Sequence, residues 1–292
     1  MKKTILLFIF FILFQNTYNQ TIRYSTAWFG PNANPVPEFT DATIPSETTI
    51  QLTGDYYFGY GDKTKNGYLK IEIPLLPERV SFKIWTSILE HYTVTENISN
   101  LRQMNGVAKG KANGNFYVQT RISLLKEYKK KPAILLNSTL KTASGTNFKE
   151  RRYFDTPGYY FDIELGKSLL FNNHLINEIR FVGNVGFLCW ETTNSIQNDA
   201  PIYGGKIIIG NDKYHWENTI SGYYGWMHTN TGYGSDYGDT PLVYATKINF
   251  QHNNINYFTQ YQYGIKDYPY HQLRVGVSFS IKKLTPKYVV KK

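Results

Sequence analysis

Along most of the chain, apolar and polar residues alternate one by one. In Gly67–Leu75, the residues Leu69, Ile71, Ile73 and Leu75 share one parity, and Lys70 and Glu72 take the other. Asn115–Leu124 sets Phe116, Val118, Thr120, Ile122 and Leu124 against Tyr117, Gln119, Arg121 and Ser123. Asp162 and Glu164 oppose Phe161, Ile163 and Leu165. Arg180 and Asn184 oppose Phe181, Val185 and Phe187, and Arg274 opposes Leu273 and Val275. Successive strand side chains point to opposite faces, so each segment is a strand with one apolar and one charged face. The pattern predicts about 12 strands, within a range of 10 to 14. They are Thr48–Tyr60, Gly67–Leu75, Arg79–Tyr92, Asn115–Tyr128, Ala133–Thr142, Tyr159–Phe171, Glu178–Trp190, Pro201–Gly210, His215–Met227, Leu242–Gln251, Ile255–Ile265 and Gln272–Lys282. Most are far longer than the roughly five or six residues of an average strand, and they match the roughly 9–11 that a tilted strand needs to cross a bilayer.

The connections sort by parity. Gly61–Asn66, Thr93–Gly114, Ala143–Gly158, Glu191–Ala200, His228–Pro241 and Lys266–His271 form the longer set. Leu76–Glu78, Lys129–Pro132, Asn172–Asn177, Asn211–Tyr214 and His252–Asn254 form the shorter one. Long outer loops and tight periplasmic turns are the asymmetry of an outer-membrane barrel. Aromatics gather near strand ends. Tyr60, Tyr68, Tyr92, Tyr117, Tyr160, Trp190, Tyr203, Trp226, Tyr244 and Tyr263 lie beside the long connections, and Tyr128, Phe171, Tyr214, Trp216, Phe250 and Tyr257 beside the short ones. Two interfacial belts follow. Backbone amides in hydrocarbon must all be paired, so a spanning sheet has to close. The expected fold is all-β, a closed antiparallel transmembrane β-barrel. Its apolar parity carries almost no charge. Glu90 and Lys167 fall on that face near strand ends, and Asn218 also falls there.

The N-terminus changes the picture of where the chain goes. Met1-Lys2-Lys3, then the apolar Thr4–Phe14, then polar residues to Gln20 are arranged as a secretory signal peptide. Between it and the first strand, Trp28–Pro45 holds four of the 12 prolines. Proline cannot donate to a sheet ladder, so this stretch either folds into the lumen as a plug, with Trp28, Phe29 and Phe39 as its bulky residues, or hangs in the periplasm. The expected division is a signal peptide over 1–20, a Pro-rich segment over 21–47, a barrel over 48–283 and a basic tail over 284–292.

Composition agrees. The 292 residues are 41% hydrophobic, 16% aromatic and only 18% charged, against about 25% charged in a typical soluble domain. One cysteine excludes a disulfide scaffold and any Cys-based zinc cage. The formal charge of +10 is spread over Lys129–Lys131, Lys149–Arg152 and Lys287–Lys292. That is no nucleic-acid patch, and it suits anionic lipid headgroups. No catalytic residues, metal ligands or cofactors are expected. The six His are scattered, no Gly-x-Ser-x-Gly turn occurs, and Ser87 with His91 on one strand face is best read as coincidence. Thr231–Asp239 reads as a Gly-rich outer loop, with calcium contact by Asp236 and Asp239 the less favoured alternative.

GNFYVQTRISLLKE (Gly114–Glu127), PAILLNSTLKTASG (Pro132–Gly145), GYYFDIELGKSLL (Gly158–Leu170) and GNVGF (Gly183–Phe187) resemble a known pattern. It is that of the outer-membrane β-barrels named for meta-pathway phenol-degradation operons, within the broader group of barrel transporters. Ala143-Ser144-Gly145 stands where that family tends to have Pro-Thr-Gly, and a basic tail follows the last strand. The resemblance implies a barrel in the outer membrane and passage of a small apolar or aromatic solute.

Parity assigns Lys70, Glu72, Lys83, Gln119, Arg121, Asp162, Glu164, Arg180, Asn184, Lys206, Lys247 and Arg274 to the lumen. Charges there pair across the wall or select ions. The expected function is a passive outer-membrane channel or small-solute transporter, with outer-membrane lipid and the barrel-assembly machinery as partners. The rival readings are a secreted carbohydrate-binding β-sandwich, and a barrel of structural, adhesive or enzymatic role.

Overall fold

The computed structural model describes residues 25–190, 199–225 and 237–287. Residues 1–24 (the expected signal peptide among them), Trp226, most of Thr231–Asp239 and the last five residues lie outside them. Thirteen strands form one sheet. They are β1 (Thr48–Gly59), β2 (Asp62–Leu76), β3 (Val80–Val94), β4 (Lys109–Ala112), β5 (Tyr117–Leu125), β6 (Ala133–Lys141), β7 (Gly158–Leu170), β8 (Glu178–Trp190), β9 (Asp199–Gly210), β10 (Tyr214–Tyr223), β11 (Leu242–His252), β12 (Ile255–Lys266) and β13 (His271–Ile281). Each strand pairs antiparallel with the next, and β1 pairs with β13, which closes the sheet. The exception is β4, a short strip that pairs only with the loop end of β3, beyond the reach of β5. The barrel wall is therefore 12-stranded. Among the described residues no helix is long and apolar enough to cross a membrane, so any crossing is made by strands.

The alternation in the sequence sets which way each residue faces. Leu52, Ile122, Leu140, Phe161, Ile163, Val185, Ile207, Ile248 and Val275 are exposed on the outside. Asp55, Glu72, Arg121, Asn137, Asp162, Glu164, Asn184 and Arg274 are buried inside. A soluble sandwich buries its apolar faces between two sheets. This molecule has one closed sheet and buries the charged face, which removes the sandwich reading. Side chains that are polar yet outward are tied to their neighbours: Asn218 Oδ1 accepts from the Tyr244 hydroxyl at 2.6 Å, and Trp216 Nε1 donates to Thr246 Oγ1 at 2.8 Å. Lys167 reaches down to Glu127 at 2.8 Å.

The structure corrects four sequence expectations. First, Gly61–Asn66 is not a loop. β2 begins at Asp62, and the turn is only Tyr60-Gly61, both in the left-handed region at φ 48° and 68°. Second, Glu90 faces the lumen. The register of β2 against β3 steps between Gly67↔Leu89 and Tyr68↔Ser87, leaving Ile88 as an extra residue. A one-residue bulge flips the parity of everything beyond it. Third, the same bulge puts Ser87 inside and His91 outside, so they do not share a face. Fourth, Tyr92, Tyr117, Tyr160 and Trp190 are buried within the barrel rather than set in the loop-side belt. Tyr203, Tyr224, Tyr263 and Phe116 face out at that end, and Tyr128, Phe171, Tyr214, Trp216 and Tyr257 at the other.

Candidate functional site

β1 starts at the end of the barrel that carries the short turns. From Thr48 the preceding residues run back through the lumen to the end that carries the long loops. Near the turns, Ile44, Ala42 and Phe39 pack on Ala133 and Leu135 of β6 and Val182 of β8. Higher up, Val36 joins a layer of inward rings that includes Tyr57, Tyr117, Tyr160, Trp190 and Tyr270. At the top, Trp28 and Phe29 pack on Phe154 of the β6–β7 loop. Trp28, Phe29 and Phe39 are all buried.

An extended, proline-rich segment has no ladder partner, so its backbone polar groups must find side chains. The inward charges of the wall supply them. Glu164 on β7 accepts from Thr40 N at 3.0 Å, Thr40 Oγ1 at 2.7 Å and Ala42 N at 2.8 Å. Arg121 on β5 donates through Nη2 to Thr43 O at 2.9 Å and also to Thr40 Oγ1, while its Nη1 pairs with Glu72 at 2.6 Å. Arg180 Nε donates to Asp41 O at 2.7 Å, and Lys206 Nζ to Phe39 O at 2.7 Å. Arg274 bridges Asp55 on β1 at 2.7 Å and Glu38 at 2.6 Å, and Lys70 reaches Glu38 at 3.5 Å. Two wall glycines make room. A Cβ on Gly204 would stand 2.5 Å from the Phe39 ring, and one on Gly166 would stand 2.8 Å from Ala42 Cβ.

All twelve lumen residues named from parity point into the barrel, but they form several separate pairings rather than a ring of one sign. Asn137 and Asn184 donate to Asp162 at 2.8 and 2.6 Å, beside Glu164. Gln119 donates to Thr139 at 2.7 Å. Glu217 takes both Lys247 at 3.2 Å and Lys206 at 3.7 Å. Lys83 Nζ lies 5.1 Å from the Trp85 ring centre. Glu127, in the β5–β6 turn, clamps the base of the wall. Burial alone would raise its pKa, but Lys167, the Ser168 amide and Arg180 hold the carboxyl below the ordinary carboxylate range.

One cluster had no sequence signal. At the loop end, Asp62 accepts from Arg102 Nη1 at 2.6 Å and Arg152 Nη1 at 2.7 Å, with all three side chains fully buried. Arg152 Nε also pairs with Glu90 at 2.6 Å, and Glu90 takes Tyr153 at 2.8 Å and Asn32 at 2.7 Å. Arg102 donates to Ala27 O at 3.1 Å and to the Tyr270 hydroxyl at 2.5 Å. This network ties two outer loops, the barrel rim and residues 27–32 together over the lumen.

Below it, a cavity of about 650 Å³ opens between the segment and the side of the wall made by β8–β13 and β1–β3. Its lining is hydrophilic, with Gln51, Lys247, Asn249, Gln260 and Ser278 prominent, and it ends against residues 36–41. Among the described residues no group of three His, Cys, Asp or Glu is placed to hold a metal.

A closed, even-stranded antiparallel sheet with an apolar outer face, aromatic rings at both rims and a charged interior is the transmembrane β-barrel of bacterial outer membranes. The fold is shared with one solved structure, and others were found at lower similarity. The COG4313 outer membrane channel from Pseudomonas putida F1 superposes with a TM-score of 0.54 at 9% identity, over 85% of this chain and 100% of that one. The translocator domain of the autotransporter NalP from Neisseria meningitidis gives 0.44 at 12% identity over 81% and 89%. The Pseudomonas putida toluene transporter TodX gives 0.35 at 8% identity over 89% and 98%. No protein-family model and no curated protein sequence matches the chain.

Proposed function

We propose that the protein is a passive outer-membrane channel whose N-terminal segment, residues 25–47, acts as a plug and closes the lumen in this conformation. The observation that carries this reading is the chemistry of the seam. In the turn-side half, the wall grips the segment through hydrogen bonds that Glu164 accepts and that Arg121, Arg180 and Lys206 donate. Water can replace such bonds when the segment leaves, at a net cost of about 1.5–3 kcal/mol for each bond to a charged group. The fold shared with a bacterial outer membrane channel supports the same reading. The hydrophilic lining of the 650 Å³ cavity favours small polar solutes over the apolar or aromatic ones that the family resemblance implied.

A second reading is a permanently sealed, structural barrel. It is favoured by the fully buried Asp62–Arg102–Arg152 network over the lumen. Deleting residues 25–45 after the signal peptide and recording in planar bilayers separates the two. The channel reading expects discrete steps of current from the deleted form and near silence from the full chain. A deleted barrel that is folded, by its heat-modifiable gel mobility, yet consistently silent would overturn it.

A further inference from the structure

Between residues 35–38 and the ring-lined wall lies a second, smaller cavity of about 80 Å³. Its aromatic side is a cage. Trp85 and Tyr117 stack at 5.2 Å, and Trp190 meets Tyr117 and Tyr160 edge-on at 6.4 and 6.1 Å. Four buried polar groups on this lining have no partner: Tyr117 Oη, Trp190 Nε1, Asn115 Nδ2 and Ser87 Oγ, the last a hydroxyl that can also donate. Asn115 cannot turn round to relieve this, because its Oδ1 already accepts from the Gly145 amide at 2.5 Å. Indole and amide nitrogens only donate, and a phenol can donate. What is missing is therefore an acceptor.

The charge of the lining points the same way. Lys70, Lys83 and Arg274 stand on it with the carboxylate of Glu38, and Arg274 is also paired with Asp55 behind the lining at 2.7 Å, which leaves Lys83 without a carboxylate partner on the lining. The Glu38 carboxylate is already engaged by Arg274 at 2.6 Å and Lys70 at 3.5 Å. Lys83 is buried and borders both this cavity and the larger one below. Size limits any guest. An apolar cavity of about 150 Å³ holds benzene, so about 80 Å³ admits a few waters or an ion of three or four heavy atoms.

We propose that the cavity formed by Tyr117, Trp190, Asn115 and Lys83 against Pro35–Glu38 is a binding site for a small monocarboxylate, of formate or acetate size. The site needs residues 35–38 in place, and it rests on the plug reading only to that extent. A bound anion would add contacts between the segment and the wall, so it would hold the barrel closed.

The test is a titration of the full-length barrel in detergent with sodium formate and sodium acetate at constant ionic strength, read by tryptophan fluorescence. So few heavy atoms limit the affinity, and a dissociation constant of roughly 0.1–10 mM is expected. Tyr117→Phe keeps the ring and removes one hydrogen bond to a charged group, which should weaken binding about tenfold or more. Lys83→Gln should abolish saturation. Lys247→Gln, which lines only the larger cavity, should leave the constant unchanged. No saturable signal, meaning a cavity that holds water alone, would overturn the proposal. So would a constant untouched by Tyr117→Phe, or loss of binding in Lys247→Gln, which would place the ion in the larger cavity. None of these outcomes bears on whether the segment-deleted barrel conducts, so the two readings fail separately.

Discussion

In the closed state proposed above, Glu164 is the principal latch on the segment. It is 1% exposed, and it accepts three hydrogen bonds from the lumen segment at 2.7–3.0 Å. Glu164→Ala removes all three. Each bond to a charged acceptor is worth about 1.5–3 kcal/mol, so their sum is about 4.5–9 kcal/mol. Neighbouring bonds do not add, and the freed Thr40 and Ala42 amides can turn to water, so about 4 kcal/mol, just under the lower end, is the working figure. Every 1.4 kcal/mol is a factor of ten, which makes the shift from seated to withdrawn segment nearly three decades. The barrel itself should survive, because Arg121 keeps its 2.6 Å pair with Glu72 and Asp162 keeps its two asparagine donors. Single-channel recording should therefore show E164A open for a far larger share of the time than the parent, with Glu164→Gln in between. Folding is checked by gel mobility before and after boiling. If E164A stays as quiet as the parent while the segment-deleted form conducts, Glu164 is not the latch, and the closed state is held by the loop-end network instead.

Three further outcomes follow from the same coordinates. Asp62→Asn strips the charge shared by two fully buried arginines, which should cost about 3–5 kcal/mol and lower the thermal midpoint by on the order of 10 °C; a midpoint within a degree of the parent would contradict the network. Asp267 lies in the β12–β13 loop, where burial would raise its pKa but the Thr240 hydroxyl and the Gly238 and Thr240 amides hold it below the usual value. A lowered carboxylate contributes stability above its unfolded pKa of about 3.9 and loses it as pH falls through the folded value. The parent should thus out-melt Asp267→Asn at pH 7, with the gap closing only below about pH 4; a gap that widens in acid would reverse the assigned sign. Val185, on the outer face of β8, is 56% exposed. Val185→Arg should lower unfolding free energy in lipid by about 2–4 kcal/mol, whereas the inward Gln260→Lys should change it by about 0.5 kcal/mol or less. Equal costs at the two positions would contradict the assignment of the lipid face.

Most of the wall could be read from the sequence because strand facing is a local rule. Once Ile122 is outside, Arg121 is inside, and no distant residue changes that. Glu178–Trp190 was bounded to the residue for this reason. The rule breaks where the count of residues breaks. Ile88 adds one to β3, so Glu90 turns inward and becomes the carboxylate that Arg152, Tyr153 and Asn32 share. No residue type marks that bulge. It is explained by its result, since without it Glu90 would face lipid and Arg152 would lose its second partner. The lumen contents were harder still. Proline spacing shows that residues 28–45 are not a strand, but their position depends on carbonyls and amides, such as Thr43 O and Ala42 N, that every residue possesses alike. The charges that receive them were visible as inward residues without their purpose. Their separate pairings now explain why a channel-sized wall needs so many: apart from Lys83, which lies against the Trp85 ring, they are matched to a neighbour on the wall or to a group of the threaded segment. The inward rings of Tyr117, Tyr160 and Trp190 follow the same logic. Placed on the lumen parity beside Gln119 and Asp162, they could not have served the lipid interface, and they meet Val36 instead, which packs the loop-side half of the lumen and leaves the larger cavity on the turn side, beside the seated segment.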